Sequence, residues 1–277
     1  MAEMSYFTLS NGEQLYYEDT EKGDQTIIMM HGWSSSHEVY APVVPAISKK
    51  ARVITYDHRG HGSSKDACKD NVTLDTLAND LSELIWGLGL HDITLLGWSM
   101  GAATAMKYMD MYGCGALRQV VLCDMTPKQM NDDEWQLGLF QGKYTQEDMD
   151  RDAWVEFCDL YTAFVIGAVP KLSRIPKFLL SRPLRKILDT CNEDVLKSLS
   201  YSMKTGDFRD TIEKISVPVF YFYAVPGSLF SPELADWYRE HVRTPYQAVD
   251  FPNCTHMMVN DRPHQFTREV LDVLSGR

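Results

Sequence analysis

Residues Gly97-Trp98-Ser99-Met100-Gly101 place a hydroxyl inside a Gly-x-Ser-x-Gly bracket. A short apolar run, Ile93 to Leu96, precedes it, and an Ala- and Met-rich run of strong helix propensity follows up to Gly113. Strand, bracket and helix in that order predict a turn so tight that Ser99 takes a strained backbone conformation, with Gly97 and Gly101 leaving room where side chains would clash. The helix behind the serine would aim N–H groups and the positive end of its dipole at a developing oxyanion. A serine hydroxyl is a weak nucleophile at neutral pH, so it needs an adjacent base and an orienting acid. Among the histidines, His256 is the best base, because Asn253-Cys254-Thr255-His256-Met257 reads as a loop after the last strand. His31 is expected to order the loop that presents the Trp33 N–H. His58 and His61 belong to a Gly-rich turn, and His37, His91, His241 and His264 read as surface or helix-end positions.

The elements that must hold these groups follow from periodicity. Tyr6–Leu9 and Leu15–Glu18 read as a hairpin turning at Asn11-Gly12, and Thr26–Met30, Arg52–Tyr56 and Gln119–Cys123 as buried strands. A helix is expected around Val39 to Ala46, and an amphipathic one over Leu74 to Leu88. From Pro127 to about Thr205 the text is helical only, with one apolar stripe at Phe157, Leu160, Tyr161, Phe164 and Val165. Strand rhythm resumes at Val217–Tyr223 and again at Tyr246–Phe251, before a C-terminal helix. Strands alternating with helices imply an α/β fold with a parallel sheet covered on both faces. Residues 1–127 and 206–277 then form one core, and 128–205 is a helical cap inserted between two of its strands.

Composition narrows the function classes. A net charge of −11 argues against a nucleic-acid or anionic-membrane partner. No signal peptide reads at the start, and no run of about 18 apolar residues occurs, so a soluble cytoplasmic protein is expected. The six scattered cysteines read as reduced thiols, and neither a metal site nor a cofactor is implied. The expected partner is a small, partly apolar substrate. In a parallel sheet functional groups gather at the carboxyl ends of strands; here those ends are His31-Gly32-Trp33, Asp57, Ser99, Asp124, the 224–230 loop and His256.

Over nearly its whole length the chain resembles the α/β-hydrolase family, the esterase- and haloperoxidase-like serine hydrolases. The matching motifs are His31-Gly32-Trp33, Asp57-His58-Arg59-Gly60-His61-Gly62-Ser63-Ser64, Gly97-Trp98-Ser99-Met100-Gly101, Val217-Pro218-Val219 and Thr255-His256. The resemblance implies Ser99 as nucleophile, His256 as base, and the backbone N–H groups of Trp33 and Met100 as an oxyanion hole. Asp57 and Arg59 look like the family's loop-bracing pair. The family usually carries its acid in the loop after the strand at Val217–Tyr223, but Ala224-Val225-Pro226-Gly227-Ser228-Leu229-Phe230 holds no carboxylate. Some members place the acid where Asp124 stands, which makes Asp124 the expected partner of His256, ahead of Glu233 and Asp236.

The implied activity is cleavage of a small or medium ester, thioester or lactone through an acyl-enzyme on Ser99, with Trp98, Phe157, Tyr161 and Phe164 as pocket residues. A narrower resemblance is to the cofactor-free quinolone dioxygenases of this fold, which use a His/Asp base dyad on N-heteroaromatic substrates. It rests on Gly32-Trp33, His37–Tyr40 and Pro252–His256, although Trp98 and Met100 stand where those enzymes usually carry histidines. A catalytically silent ligand-binding member of the fold is the third reading.

Overall fold

A computed structural model of the chain describes residues 3–69 and 71–276. Its sheet opens with a hairpin of β1 (Glu3–Thr8) and β2 (Gln14–Asp19). The turn is longer than a two-residue one: the Leu9 N–H donates to the Glu13 carbonyl at 2.8 Å, and Gly12 takes φ 81° inside it. The run β3 (Thr26–Met30), α1 (Val44–Ile47), β4 (Arg52–Tyr56) follows. Only a 3₁₀ turn at His37–Tyr40 and the single turn of α1 form where a longer helix was expected. Pro42 and Pro45 explain this, since neither can donate the N–H that a continuing helix requires.

Next come α2 (Leu74–Gly87), β5 (Ile93–Trp98), α3 (Met100–Tyr112) and β6 (Leu117–Cys123), close to the positions that periodicity gives. Between β6 and the next strand lie α4 (Leu139–Gly142), α5 (Gln146–Asp152), α6 (Phe157–Ala168), α7 (Lys177–Leu188), α8 (Glu193–Thr205) and α9 (Arg209–Lys214). Residues 127–138, expected to be helical, are irregular, pinned by the Asn131 side-chain amide to the Leu139 and Tyr144 carbonyls. β7 (Val219–Val225) starts after Pro218, which cannot donate to a ladder. Then α10 (Leu234–His241), β8 (Tyr246–Pro252), α11 (Met258–Asp261) and α12 (Pro263–Leu274) complete the described chain.

The strand order is β1-β2-β4-β3-β5-β6-β7-β8. β1 and β2 are antiparallel to their neighbours, and the pairs from β4 through β8 are parallel. One face packs α2 and α3 through residues such as Leu81, Ile85 and Met106; the other packs α12 through Phe266, Val270 and Val273. Burial on both faces is why β3 to β6 read as continuous apolar runs. The connections leave β3 toward β4 on one side and return to β5 on the other. That reversal opens a crevice beyond the carboxyl ends of β3 and β5, the place where ligands bind in open α/β sheets.

Candidate active site

Ser99 occupies the step from β5 into α3, with φ 55° and ψ −119°. The turn closes only because of its glycines. A Cβ on Gly97 would lie 2.3 Å from the Gly101 backbone, and one on Gly101 would lie 2.2 Å from the Met30 carbonyl oxygen. The Ser99 N–H donates to the Cys123 carbonyl at 2.9 Å, tying the serine to β6. Its N–H neighbour on Met100 opens α3 and so has no acceptor within the helix. Gly32, next to Trp33, faces the same point: a Cβ there would approach the Ser99 Cβ to 3.2 Å.

His256 follows β8 and is almost wholly buried. Its Nε2 lies 2.8 Å from Ser99 Oγ, and its Nδ1 lies 2.6 Å from Asp124 Oδ2. An ionised carboxylate only accepts hydrogen bonds, so Asp124 places the imidazole proton on Nδ1 and leaves the Nε2 lone pair to receive the Ser99 hydroxyl. Asp124 takes φ 48° directly after β6, and its N–H donates to the Phe222 carbonyl at 2.7 Å, so β7 fixes where the carboxylate stands. The Trp98 indole donates to the His256 carbonyl at 2.8 Å, and its ring lies 5.5 Å from the imidazole. Glu233 and Asp236 are exposed, and Asp236 pairs with Arg239.

Sequence reasoning overlooked Ser228. Its hydroxyl donates to Asp124 Oδ2, on the same oxygen that receives His256. The loop without a carboxylate therefore still reaches the site, supplying a donor to the acid rather than the acid. His37, expected at the surface or at a helix end, opens the 3₁₀ turn and is only partly exposed. Its Nδ1 is 2.8 Å from Asp57 Oδ1, which also accepts the His37 backbone N–H at 2.6 Å, and its Nε2 is 3.6 Å from Glu18. Burial alone would lower the His37 pKa, but the hydrogen bond and charge of Asp57 outweigh it and leave the value raised. Asp57 and Arg59 brace separate segments: Asp57 receives His37 and the Ser63 N–H, and Arg59 holds Asp80 and Glu13. His58 and His61 are buried and kept neutral, burial pushing them down to about 3 and about 4; His31 accepts the His58 N–H at 3.0 Å and orders this corner.

Ser99 lines two hollows. One is a cavity of 260 Å³ whose walls include Phe157 and Phe164. The other is a wider cleft of 860 Å³ that also includes His256, Trp98 and Tyr161. Of the four expected pocket residues, Phe157 lines the first, Trp98 and Tyr161 line the second, and Phe164 lines both. Tyr161 is drawn from the first by the Ser34 hydroxyl, 3.2 Å from its own, and Trp98 lies beneath the imidazole. Phe140, Met203, Leu229 and Phe230 complete the cavity's apolar wall, and nothing in their local spacing singles them out. Trp33 joins the two hollows, its ring edge-on to Phe157, Tyr161 and Phe164 and its indole donating to the Leu196 carbonyl at 2.9 Å. Among the described residues no group of three His, Cys, Asp or Glu side chains is arranged to hold a metal ion, and no helix is long and apolar enough to cross a membrane.

Residues 25–259 match a family model described as alpha/beta hydrolase fold, and the chain belongs to that family. Within it, a pimeloyl-[acyl-carrier protein] methyl ester esterase of Nitrosomonas europaea is 24% identical over 254 residues, covering 91% of this chain and 96% of that protein. A non-heme chloroperoxidase of Kitasatospora aureofaciens is 33% identical over 128 residues, a match spanning 46% of each chain. Among solved structures, an esterase from Exiguobacterium antarcticum superposes with a TM-score of 0.82 at 22% identity, covering 98% of this chain and 99% of that one. That likeness carries the fold and leaves the reaction to the site itself.

Proposed function

We propose that the protein is a serine hydrolase that cleaves a small or medium carboxylic ester, thioester or lactone through an acyl-enzyme on Ser99. The observation that carries this reading is the continuous line Ser99 Oγ, His256 Nε2, His256 Nδ1, Asp124 Oδ2, with contacts of 2.8 and 2.6 Å. Ser99 Oγ attacks the acyl carbon while its proton passes to His256 Nε2. The carbonyl oxygen becomes an oxyanion, held by the N–H groups of Met100 and Trp33. The tetrahedral intermediate collapses, the bond to the leaving group breaks, and His256 returns the proton to the departing oxygen or sulfur. Water then repeats the sequence: His256 takes its proton, the hydroxyl oxygen joins the acyl carbon, and the proton goes back to Ser99 as the acid leaves. Asp124 stabilises the imidazolium in both halves, and Ser228 holds Asp124.

Residues 128–205 act as a cap over Ser99 in this reading, with the acyl part in the 260 Å³ cavity and the leaving group in the open cleft. A His256/Asp124 dyad alone would serve base chemistry of the quinolone-dioxygenase kind; the hydroxyl aimed at Nε2 favours acyl transfer. The test is labelling with a fluorophosphonate, followed by hydrolysis of a p-nitrophenyl ester series. The parent protein should label and turn over, and Ser99→Ala should do neither while keeping its circular dichroism spectrum and Tm. Turnover by Ser99→Ala near the parental rate would rule the acyl-enzyme out.

A further inference from the structure

Charge is unevenly spread over the chain. Residues 160–188 hold six of its 27 lysines and arginines and none of its 38 aspartates and glutamates, in a protein of net charge −11. The six are Lys171, Arg174, Lys177, Arg182, Arg185 and Lys186, and all are exposed. Among the described residues only Arg185 of the six forms an ion pair, with Asp189 at 3.4 Å. The dipole of α7 suits Arg185 and Lys186 in its last turn, but Lys177 opens the helix, where a cation is disfavoured. Packing accounts for one side of α7 alone: Leu180, Leu184 and Leu188 recur every fourth residue and close on Tyr161 and Leu196. On the opposite side Phe178, Arg182 and Lys186 form a second row at the same spacing, with Leu179 beside it. Phe178 is 75% exposed and Leu179 54%, and Ile175 precedes them at 39%. Bulky apolar side chains clustered in water among unpaired cations mark an interaction surface.

The chemistry of this face selects its partner. Cations interleaved with aromatic and aliphatic groups on one side of a helix suit the boundary of an anionic bilayer. The apolar groups enter the acyl region while Lys and Arg reach back to the headgroups. A lipid surface receives adjacent Phe and Leu side chains without a complementary pocket, whereas a protein partner would need a hollow for each. Trp154 is more exposed than Phe178, but Asp150, Asp152 and Glu156 flank it in the chain, and an anionic surface repels them. We propose that the exposed face of residues 171–187 docks the protein on the surface of an anionic phospholipid bilayer. The net charge argues against such a partner for the molecule as a whole, yet this face has the opposite sign. Acidic groups farther than about 8 Å from the headgroups are screened at physiological salt. Lys186 and Ile187 also line the wider cleft, so docking sets that rim of the cleft beside the lipid.

Flotation with two kinds of vesicle tests it, phosphatidylcholine alone and an equimolar mixture with phosphatidylglycerol. The parent should bind the mixed vesicles more tightly by about tenfold or more, with the difference shrinking as salt is raised. The triple variant Arg174→Gln, Lys177→Gln, Arg182→Gln should keep the parental Tm and weaken that binding about a hundredfold. That is roughly fivefold, or about 1 kcal/mol, for each cation removed. Should the triple variant not fold, Arg182→Gln alone should still give the fivefold step. Phe178→Ser with Leu179→Ser should remove the share of binding that persists at high salt. Hydrolysis of a soluble ester should be unaltered by the three cation changes, and Ser99→Ala should float like the parent, so docking and acyl transfer are tested apart. Equal affinity for the two vesicle types, no binding to either at low salt, or binding retained by the triple variant overturns the proposal. Capture of polyglutamate through the same cations, without flotation, would assign the face to an acidic protein and overturn it as well.

Discussion

Two histidines line the wider cleft, each paired with a buried carboxylate, and the two pairs are built alike. Asp124 follows β6 and Asp57 follows β4; each carboxylate is buried, and each receives a histidine Nδ1, at 2.6 Å from His256 and 2.8 Å from His37. What differs is the far nitrogen. His256 Nε2 meets the Ser99 hydroxyl at 2.8 Å, whereas His37 Nε2 meets the Glu18 carboxylate at 3.6 Å. A hydroxyl needs a lone pair on that nitrogen, and a carboxylate needs a proton on it. The second pair is therefore wired as an ion pair that holds the Asp57–Ser63 corner, and the first presents its far nitrogen to a hydroxyl. A histidine beside a buried aspartate is a part, and its third neighbour decides its use.

Exchanging the two carboxylates for amides should separate these uses sharply. Asp124→Asn leaves His256 free to adopt the wrong tautomer, and a loss on the order of 10⁴ in kcat is expected by analogy with the protease triad. Its thermal midpoint should stay close to the parent's. Steady-state kinetics on one ester and a melt decide this; a mild kinetic defect would mean that the acid has been misassigned. Asp57→Asn should show the opposite profile. It weakens bonds from the His37 N–H, the His37 ring and the Ser63 N–H, so chemical denaturation should report a loss of roughly 2–3 kcal/mol, with kcat within about tenfold of the parent. A crippled kcat in a well-folded Asp57→Asn protein would break the comparison.

Ser228→Ala probes the acid's own support. Losing one hydrogen bond to a charged acceptor costs roughly 1.5 kcal/mol, which is about tenfold in kcat if it is felt in the transition state. An unchanged kcat would show that Asp124 needs no help to hold His256. The smallest expected effect is in pH dependence. The raised His37 value means that its stabilisation is complete below about pH 6.5, the unfolded value, and is lost as pH rises through the folded one. Asp57 works in the other direction: its pKa is lowered, with burial opposing and the His37 hydrogen bond prevailing. Its share is present above about pH 4 and disappears as pH falls through the folded value. Denaturation midpoints of the parent should therefore drop as pH rises above about 6.5, and His37→Gln should flatten that drop. Parallel curves for the two proteins would remove the ion pair from the account.

How well each part of the site could be read in advance follows from how local its determinants are. Ser99 announces itself because a turn this tight demands glycines on both sides within five residues. Asp124 and His256 were legible as residues ending predicted strands of a parallel sheet. Ser228 was not, because the acid it supports comes from another strand, and a serine in a Pro-Gly-Ser loop has many uses. His37 reads only as a surface or helix-end position, because it falls between three serines and a proline-broken segment, where no periodicity shows what its ring meets. The cavity wall was only half visible. Phe157 and Phe164 share a helical stripe, but Phe140 sits at φ 54° in an irregular turn and Leu229 and Phe230 come from the β7–α10 loop. Walls assembled from segments far apart in the chain leave no local pattern to read.

Selection for heat resistance acts against the backbone conformation of Ser99. A residue other than glycine at φ 55° and ψ −119° stores strain of about 1–3 kcal/mol, held in place by β5, β6 and α3 around it. Replacing that serine by glycine would release the strain and remove the hydroxyl in one change. The protein that melts last in such a family of variants should thus be one that has lost the Ser99 hydroxyl, and a screen for thermal resilience alone would discard that hydroxyl first.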